Sequence, residues 1–140
     1  MSCKISKIMT LTIVLALVAS VPLSTAAAKR SSIPPGQWGG NGVSMVIGKK
    51  KVGLEFDCSN GEIGSIIRTN KKGNFSVAGK WTREMSVVTL DDPIQAESVR
   101  YQGKITGNTM TLKITLVSTG AELASFTLTK GSSGRLRKCR

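Results

Sequence analysis

The paired carboxylates Glu55 and Asp57 come nearest to an active-site spacing in this 140-residue chain. They stand two positions apart, so on a β-strand they share one face with carboxylates about 7 Å apart, from a rise of ~3.3 Å per residue. Inverting glycosidases use separations of this order. The pair alternates with Leu54 and Phe56, however, so it is predicted to face solvent. We therefore expect no enzyme and assign no catalytic residue; a carboxylate-dependent hydrolase is a distant alternative.

Other common chemistries are excluded by composition. The chain contains no histidine, and with it no imidazole base or imidazole metal ligand. Its three cysteines cannot form a four-cysteine zinc site. Asp91-Asp92 lacks the oxygen-rich loop of a calcium site. The glycine-rich stretches 39–42 and 131–134 are not followed by a helix pattern, as phosphate-binding loops are, and are interpreted as a bulge and a turn. We expect no cofactor and no metal ion.

Residues 1–28 have the layout of a secretory signal peptide. Lys4 and Lys7 make the start positive, residues 11–21 are apolar but too short to span a bilayer, and three alanines at 26–28 offer a cleavage site. An N-terminal membrane anchor is the alternative. Cleavage after Ala28 predicts an exported protein, periplasmic or extracellular, whose mature chain has no transmembrane segment.

The mature chain keeps two cysteines, Cys58 and Cys139. An even number of cysteines in an exported protein predicts one disulfide, with two buried free thiols as the alternative. Loss of Lys4 and Lys7 lowers the formal charge by two, from +12 to +10.

Apolar and polar residues alternate through the mature chain, as they do over 52–58 and 110–116. A period of two with one apolar face predicts antiparallel strands packed on one core. Residues 29–36 are predicted to form an extended, flexible lead-in, and residues 37–140 the folded domain. Turn signals separate eight predicted strands, at 37–47, 51–58, 62–69, 74–83, 97–105, 109–117, 122–130 and 135–139.

Eight short strands joined by tight turns predict an all-β fold, a single small antiparallel up-and-down barrel, because closure removes both sheet edges. A two-sheet β-sandwich is the alternative. The interior of so small a barrel is either filled by side chains or holds one small ligand. The candidate cavity-lining residues are Met45, Leu54, Phe56, Phe75, Val77, Tyr101, Leu112 and Phe126.

Successive turns of a meander alternate between its two ends, so turn charges can be assigned to ends. One set of turns carries cations and no acid, and forms a candidate anion-binding rim: Lys49, Lys50, Lys51, Lys71, Lys72, Lys130 and Arg135. The other turns and their flanks carry Glu62, Glu84, Asp91, Asp92, Glu97 and Glu122. The rim predicts an anionic partner outside the cytoplasm, with ordinary solubilising charge as the alternative. Nucleic acid is not expected, because aromatic residues are too few for a stacking platform.

The predicted strands place Cys58 and Cys139 at the same end of the barrel, two strand spacings apart. That distance is about 9.6 Å, beyond the usual Cα separation of ~4.4–6.8 Å in a disulfide. A disulfide therefore requires the C-terminal tail to curl over the end of the first strand, or the barrel to flatten there.

Gly36-Gln37-Trp38 resembles the G-x-W motif that opens the first strand of lipocalin-like (calycin) barrels. That resemblance implies that Trp38 plugs one end of the barrel, covered by an arginine through a cation–π contact; Arg137 is the candidate.

A second resemblance covers most of the mature chain. Residues 34–40, 54–58, 75–79, 101–112 and 135–139 are similar to a group of small exported bacterial proteins of uncharacterised function. It implies secretion and a Cys58–Cys139 pair, and supplies no activity.

Binding is therefore the expected function, in one of two versions. In the first, the barrel holds a small apolar or amphiphilic ligand whose anionic group lies at the basic rim. In the second, a solid-core domain docks through its basic rim on an anionic envelope surface, a polysaccharide or an acidic partner protein. We expect a monomer in either case.

Overall fold

The computed structural model describes residues 29–84, 95–137 and 139, and within them all regular structure is β-strand. None of the described residues lies in a helix that could cross a membrane. The strands are β1 (Ser31–Ser32), β2 (Gly36–Gly40), β3 (Val43–Ile47), β4 (Val52–Phe56), β5 (Ser59–Ile63), β6 (Arg68–Thr69), β7 (Asn74–Arg83), β8 (Ala96–Thr106), β9 (Thr109–Leu116) and β10 (Glu122–Lys130).

Eight of these strands close into a barrel in the order β10-β2-β3-β4-β5-β7-β8-β9. Every neighbouring pair is antiparallel, and each barrel strand pairs with the next barrel strand along the chain, apart from the closing pair β10–β2; β6, between β5 and β7, pairs with β1 outside the barrel. The predicted all-β up-and-down barrel is therefore confirmed, and the alternative of a two-sheet sandwich is not.

The first predicted strand, 37–47, is in fact a hairpin. β2 and β3 are joined by Asn41 and Gly42, and Gly40 pairs with Val43 across the turn. Gly42 has a φ of 77°, a conformation that glycine adopts without steric cost. The interpretation of 39–42 as a bulge is wrong, because the three glycines of this stretch carry no alternation signal that would mark the end of a strand.

The predicted turn at 59–61 lies inside a strand. Asp57 and Cys58 form the turn, and β5 begins at Ser59. Gly61 faces the interior, where an added Cβ would collide with the Tyr101 hydroxyl. This glycine makes room for a neighbouring ring and does not bend the chain.

Of the predicted strand 135–139, the described residues 135–137 and 139 form no strand. Arg135 makes one isolated parallel bridge to Asn41. The barrel closes instead through β10 and β2, with Thr129 opposite Gly39 and Lys130 opposite Trp38. The number of barrel strands stays at eight because the split of 37–47 replaces the strand lost at the C-terminus.

The core fills the interior of the barrel. Of the candidate cavity-lining residues, six are buried and two, Val77 and Phe126, are half-buried and pack against them. Phe56 and Phe126 stack with ring centroids 5.2 Å apart. Tyr101 is fully buried, and its hydroxyl donates a 2.7 Å hydrogen bond to the carbonyl of Lys80.

Part of the predicted lead-in pairs with the domain. β1 is antiparallel to β6, with Ser31 opposite Thr69, and the Ile33 amide continues this ladder with a 3.0 Å bond to the Ile67 carbonyl. We call residues 30–33 with 67–70 the ribbon. Ile33 and Ile67 are buried and belong to the core cluster, so the ribbon covers one end of the barrel.

Candidate anion-binding end of the barrel

Strand direction places the loops 48–51, 64–73 and 107–108 at one end of the barrel, together with the C-terminus of β10. We call this the basic end. Six residues of the predicted rim lie there, all of them exposed: Lys49, Lys50, Lys51, Lys71, Lys72 and Lys130.

Four further cations lie at the basic end that the sequence interpretation did not assign to it. Lys29 and Arg30 reach it because the lead-in pairs along β6, and Arg68 lies in β6 itself. Lys104 lies opposite Asn74, the first residue of β7. For Lys29, Arg30 and Arg68 the one sequence signal is the isoleucine pair that anchors the ribbon, and isolated apolar residues in loops do not indicate such a role.

Arg135 does not belong to the basic end. Its amide donates to Gly40 and its carbonyl accepts from Gly42, at the turn between β2 and β3, which is at the opposite end. The prediction that placed it with the rim was wrong because residues 131–134 return along β2 and do not form a hairpin.

Arg137 likewise lies far from Trp38. Its amide donates a 2.7 Å hydrogen bond to Asp57 Oδ1, whereas Trp38 lies opposite Lys130 near the basic end. The predicted cation–π contact of Arg137 with Trp38 is therefore not formed. The described residues form one elsewhere, with the Arg83 guanidinium 5.6 Å from the centroid of the Trp81 ring. Trp38 itself is buried, 3% exposed.

The opposite end is acidic, and we call it the acidic end. Glu84, Glu97 and Glu122 lie at or beside its turns. Asp91 and Asp92 are outside the described residues. Glu62 departs from the prediction, because it lies one residue from the basic end of β5.

Cations of the basic end form no ion pair with any described residue. Within 29–84 and 95–137 the ion pair present joins Lys113 Nζ to Glu122 Oε2 at 3.0 Å, on the wall of the barrel. A dense set of exposed, unpaired cations keeps its full field available to an anionic partner.

Cys58 and Cys139 form a disulfide at the acidic end, with Cα atoms 5.4 Å apart. The C-terminal tail, residues 131–137 and 139, reaches Cys58 by running beside the end of β2, as one of the two predicted solutions requires. The pairing is therefore confirmed. Asp57 holds the tail through the Arg137 amide, and its neighbour Glu55 faces solvent.

Four clefts lined by described residues lie on the outer surface of the barrel and are open to solvent, each lined mainly by outward-facing side chains and by strand backbone. Among the described residues, no group of three acidic, cysteine or histidine side chains is placed to hold a metal ion. Burial raises the pKa of the Tyr101 phenol well above its ordinary value, which keeps it protonated as a hydrogen-bond donor.

Comparisons with family models, with curated proteins and with solved structures find no match to this chain. The eight-stranded antiparallel barrel is consistent with a lipocalin-like layout. The resemblance to a group of exported bacterial proteins stays a prediction.

Proposed function

We propose that this chain is an exported, non-enzymatic β-barrel domain that docks through its basic end onto an anionic membrane surface. The observation that carries the proposal is the collection of exposed cations at one end of the barrel, none of which forms an ion pair with a described residue. Near an anionic bilayer each Lys or Arg contributes about 1 kcal/mol of attraction. Several such residues on one rigid end are therefore sufficient for peripheral binding without a membrane-spanning segment.

Packing of the interior favours docking over the enclosed-ligand version. The candidate cavity-lining residues pack against one another, and Tyr101 is buried inside the barrel with 0% exposure. Four clefts lined by described residues open on the outer surface of the barrel. A ligand held inside would have to displace core side chains, at a cost of several kcal/mol.

One exposed apolar side chain favours a lipid surface over a polysaccharide or an acidic protein. Ile66 is 45% exposed in the loop between β5 and β6, close in sequence to Arg68 and Lys71. An apolar residue among cations is typical of peripheral membrane binding, where the side chain enters the acyl boundary while the cations meet head groups.

The disulfide supports export, because disulfides persist in oxidising compartments and are rare in the cytosol. The predicted signal peptide, residues 1–28, is outside the described residues. Export also brings the basic end to the envelope surfaces that carry anionic lipids.

The proposal is tested by partition of the purified mature protein between buffer and vesicles of 30% anionic phospholipid, on the order of the charge density at which polybasic segments bind. We expect binding to anionic vesicles, none to zwitterionic ones, and a loss in added salt. Lys49→Ser, Lys50→Ser and Lys51→Ser together should weaken partition by on the order of 100-fold.

The matched control removes three cations from the acidic end, by Arg83→Ser, Arg135→Ser and Arg137→Ser. It changes net charge equally and should alter partition by less than about threefold. Equal losses in the two triple variants, or equal binding to zwitterionic vesicles, would refute the proposal. Binding to an acidic polysaccharide without vesicle binding would favour the polysaccharide alternative instead.

A further inference from the structure

The ribbon presents two different faces. Cross-strand neighbours share a face and successive residues alternate, so Ile33 and Ile67 lie on one face and Arg30, Ser32 and Arg68 on the other. The isoleucines are buried at the end of the barrel, and the two arginines are exposed. Packing of the apolar face therefore holds both guanidinium groups on the same outward surface.

Beside this arginine face lies an open cleft of about 390 Å³, between the ribbon and the start of β7. Its lining contains no acidic residue. The residues that the argument uses are Arg30, Ile66, Arg68, Asn70, Asn74 and Ser76. Volumes of 300–1,000 Å³ are usual for small-molecule sites, so the cleft is about large enough for one head group.

The wall of the cleft is ordered by its own hydrogen bonds. Asn70 Oδ1 accepts from the amides of Lys72 at 2.9 Å and Asn74 at 3.0 Å, and the Asn70 amide donates to the Asn74 carbonyl at 2.9 Å. Both side-chain bonds use the oxygen of Asn70, which leaves its NH₂ group as a donor. The turn at residues 70–74 is therefore ordered before a ligand binds, so that binding does not have to supply the cost of ordering it.

A third guanidinium stands at the edge of the cleft. Arg100 Nη1 donates a 3.2 Å hydrogen bond to Ser76 Oγ, on the outer face of β7 and β8. Guanidinium forks match phosphate and carboxylate geometry. A carboxylate and a phosphodiester each present two free oxygens and one negative charge, whereas a phosphomonoester presents three oxygens and more negative charge, which suits two guanidinium forks. Several arginines around one cleft therefore fit a phosphomonoester better.

From this geometry we propose that the cleft between the ribbon and β7 binds the phosphomonoester head group of an anionic lipid. Arg30 and Arg68 donate hydrogen bonds to the phosphoryl oxygens. Asn70 and Ser76 line the cleft beside the head group, and the Ile66 side chain enters the acyl boundary of the bilayer. The proposal rests on the proposed membrane docking and adds a choice of head group. Docking by charge alone does not distinguish a monoester from a diester, whereas this cleft does.

The test compares partition onto phosphatidic acid vesicles, which expose a phosphomonoester, with partition onto phosphatidylglycerol vesicles, which carry a diester. The two preparations are matched in electrophoretic mobility, so that surface charge is equal. We expect the wild-type mature protein to prefer phosphatidic acid by about tenfold or more, since the third free oxygen of the monoester allows the two forks to make at least one further charge-assisted hydrogen bond.

Arg30→Lys with Arg68→Lys keeps both charges and removes both forks. This variant should lose most of the preference while still binding phosphatidylglycerol within about twofold of wild type. The matched control, Arg135→Lys with Arg137→Lys, makes the same exchange at the acidic end and should keep the preference. Urea unfolding of both variants checks that each remains folded.

Each outcome bears on one level of the argument. Equal wild-type binding to both vesicle types overturns the head-group proposal and leaves docking intact, as does a preference retained by the Arg30/Arg68 variant. If the wild type binds neither vesicle type, the docking proposal is overturned as well. If glycerol 3-phosphate or inorganic phosphate binds the cleft as tightly as the vesicles do, the site serves a soluble phosphate and the lipid assignment is wrong.

Discussion

At the scale of single residues, the barrel interior is built on rings packed over glycines. Phe75 lies directly opposite Gly103, and a Cβ on Gly103 would stand 2.7 Å from Phe75 Cζ. Tyr101 covers both Gly61 and Gly79 in the same way. Glycine normally weakens a strand, because it costs entropy and packs nothing. Here the aromatic rings occupy the space that the missing side chains leave.

Gly79→Ala tests this arrangement. The new Cβ would lie 2.6 Å from both Tyr101 Cε2 and the Glu62 carbonyl oxygen, so the core is overpacked. We expect the free energy of unfolding to fall by about 1–3 kcal/mol, measured by urea denaturation.

The matched control is Gly53→Ala, since Gly53 lies in a strand of the same barrel with no atom within 4 Å of an added Cβ. Its effect should stay within about 0.5 kcal/mol. Equal effects of the two substitutions would show that strand propensity, and not the space under Tyr101, governs these glycines.

Tyr101 also predicts a pH dependence. Burial raises the pKa of its phenol, while the unfolded chain ionises near the ordinary value of about 10. Above that pH the unfolded state releases a proton that the folded state retains, so stability falls as pH rises. Stability associated with this group is thus present below about pH 10 and lost above it.

Tyr101→Phe removes both the titration and the hydrogen bond to Lys80. We expect the wild type to be more stable than the variant by about 1 kcal/mol at neutral pH. That difference should shrink by up to ~1.4 kcal/mol per pH unit above about pH 10. Urea unfolding of both proteins across this range measures it, and a difference that does not change with pH would contradict the burial of the phenol.

At the scale of elements, the C-terminal tail completes the closure of the barrel. β10 and β2 share two residue pairs, which is a short seam. The tail extends it, because the Gly131 amide donates to the Gln37 carbonyl at 2.7 Å and Arg135 bridges Asn41. Gly39 allows this close approach, since a Cβ there would stand 2.6 Å from the Ser132 carbonyl oxygen.

The disulfide anchors this tail across a separation of 81 positions. Replacing both Cys58 and Cys139 by Ser should lower the free energy of unfolding by about 4–5 kcal/mol, on the chain-entropy estimate for such a loop. Amide exchange should rise most at residues 131–137. Unchanged exchange there, with unchanged stability, would mean that the hydrogen bonds alone hold the seam.

At the scale of the whole molecule, charged side chains are distributed unevenly between the two ends of the barrel. Cations without nearby carboxylates gather at the basic end, apart from Glu62, whereas the acidic end carries Glu84, Glu97 and Glu122 together with Arg83, Arg135 and Arg137. Such a distribution is expected to orient the domain before contact, because an anionic surface attracts the basic end more strongly than the acidic end, where cations and carboxylates are mixed. Folding of the lead-in onto the barrel adds to this polarity, since it carries Lys29 and Arg30 to the end that already holds the lysine turns.

Local patterns were sufficient for the fold class and for much of the charge distribution. Alternation over β4 and β9 reports which face of a strand is buried, and that signal needs no knowledge of the partner strand. The lysines at 49–51 and 71–72 stand beside turns of an up-and-down meander, so their end follows from counting. The predicted number of eight barrel strands is correct although 39–42 is a turn, because the extra strand formed there replaces the strand that is missing at the C-terminus.

Glycines and chain ends depended on contacts between residues distant in the chain. Gly61 lies within a strand because Tyr101, forty positions away, needs the space above it. Arg30 lies on the same face as Arg68 because Ile33 pairs with Ile67. Arg137 lies away from Trp38 because its amide donates a hydrogen bond to Asp57. Side-chain alternation is a property of one strand and can be recognised from the sequence of that strand alone. Which strand, ring or tail lies next to it is set by packing, and no short window of sequence contains both partners.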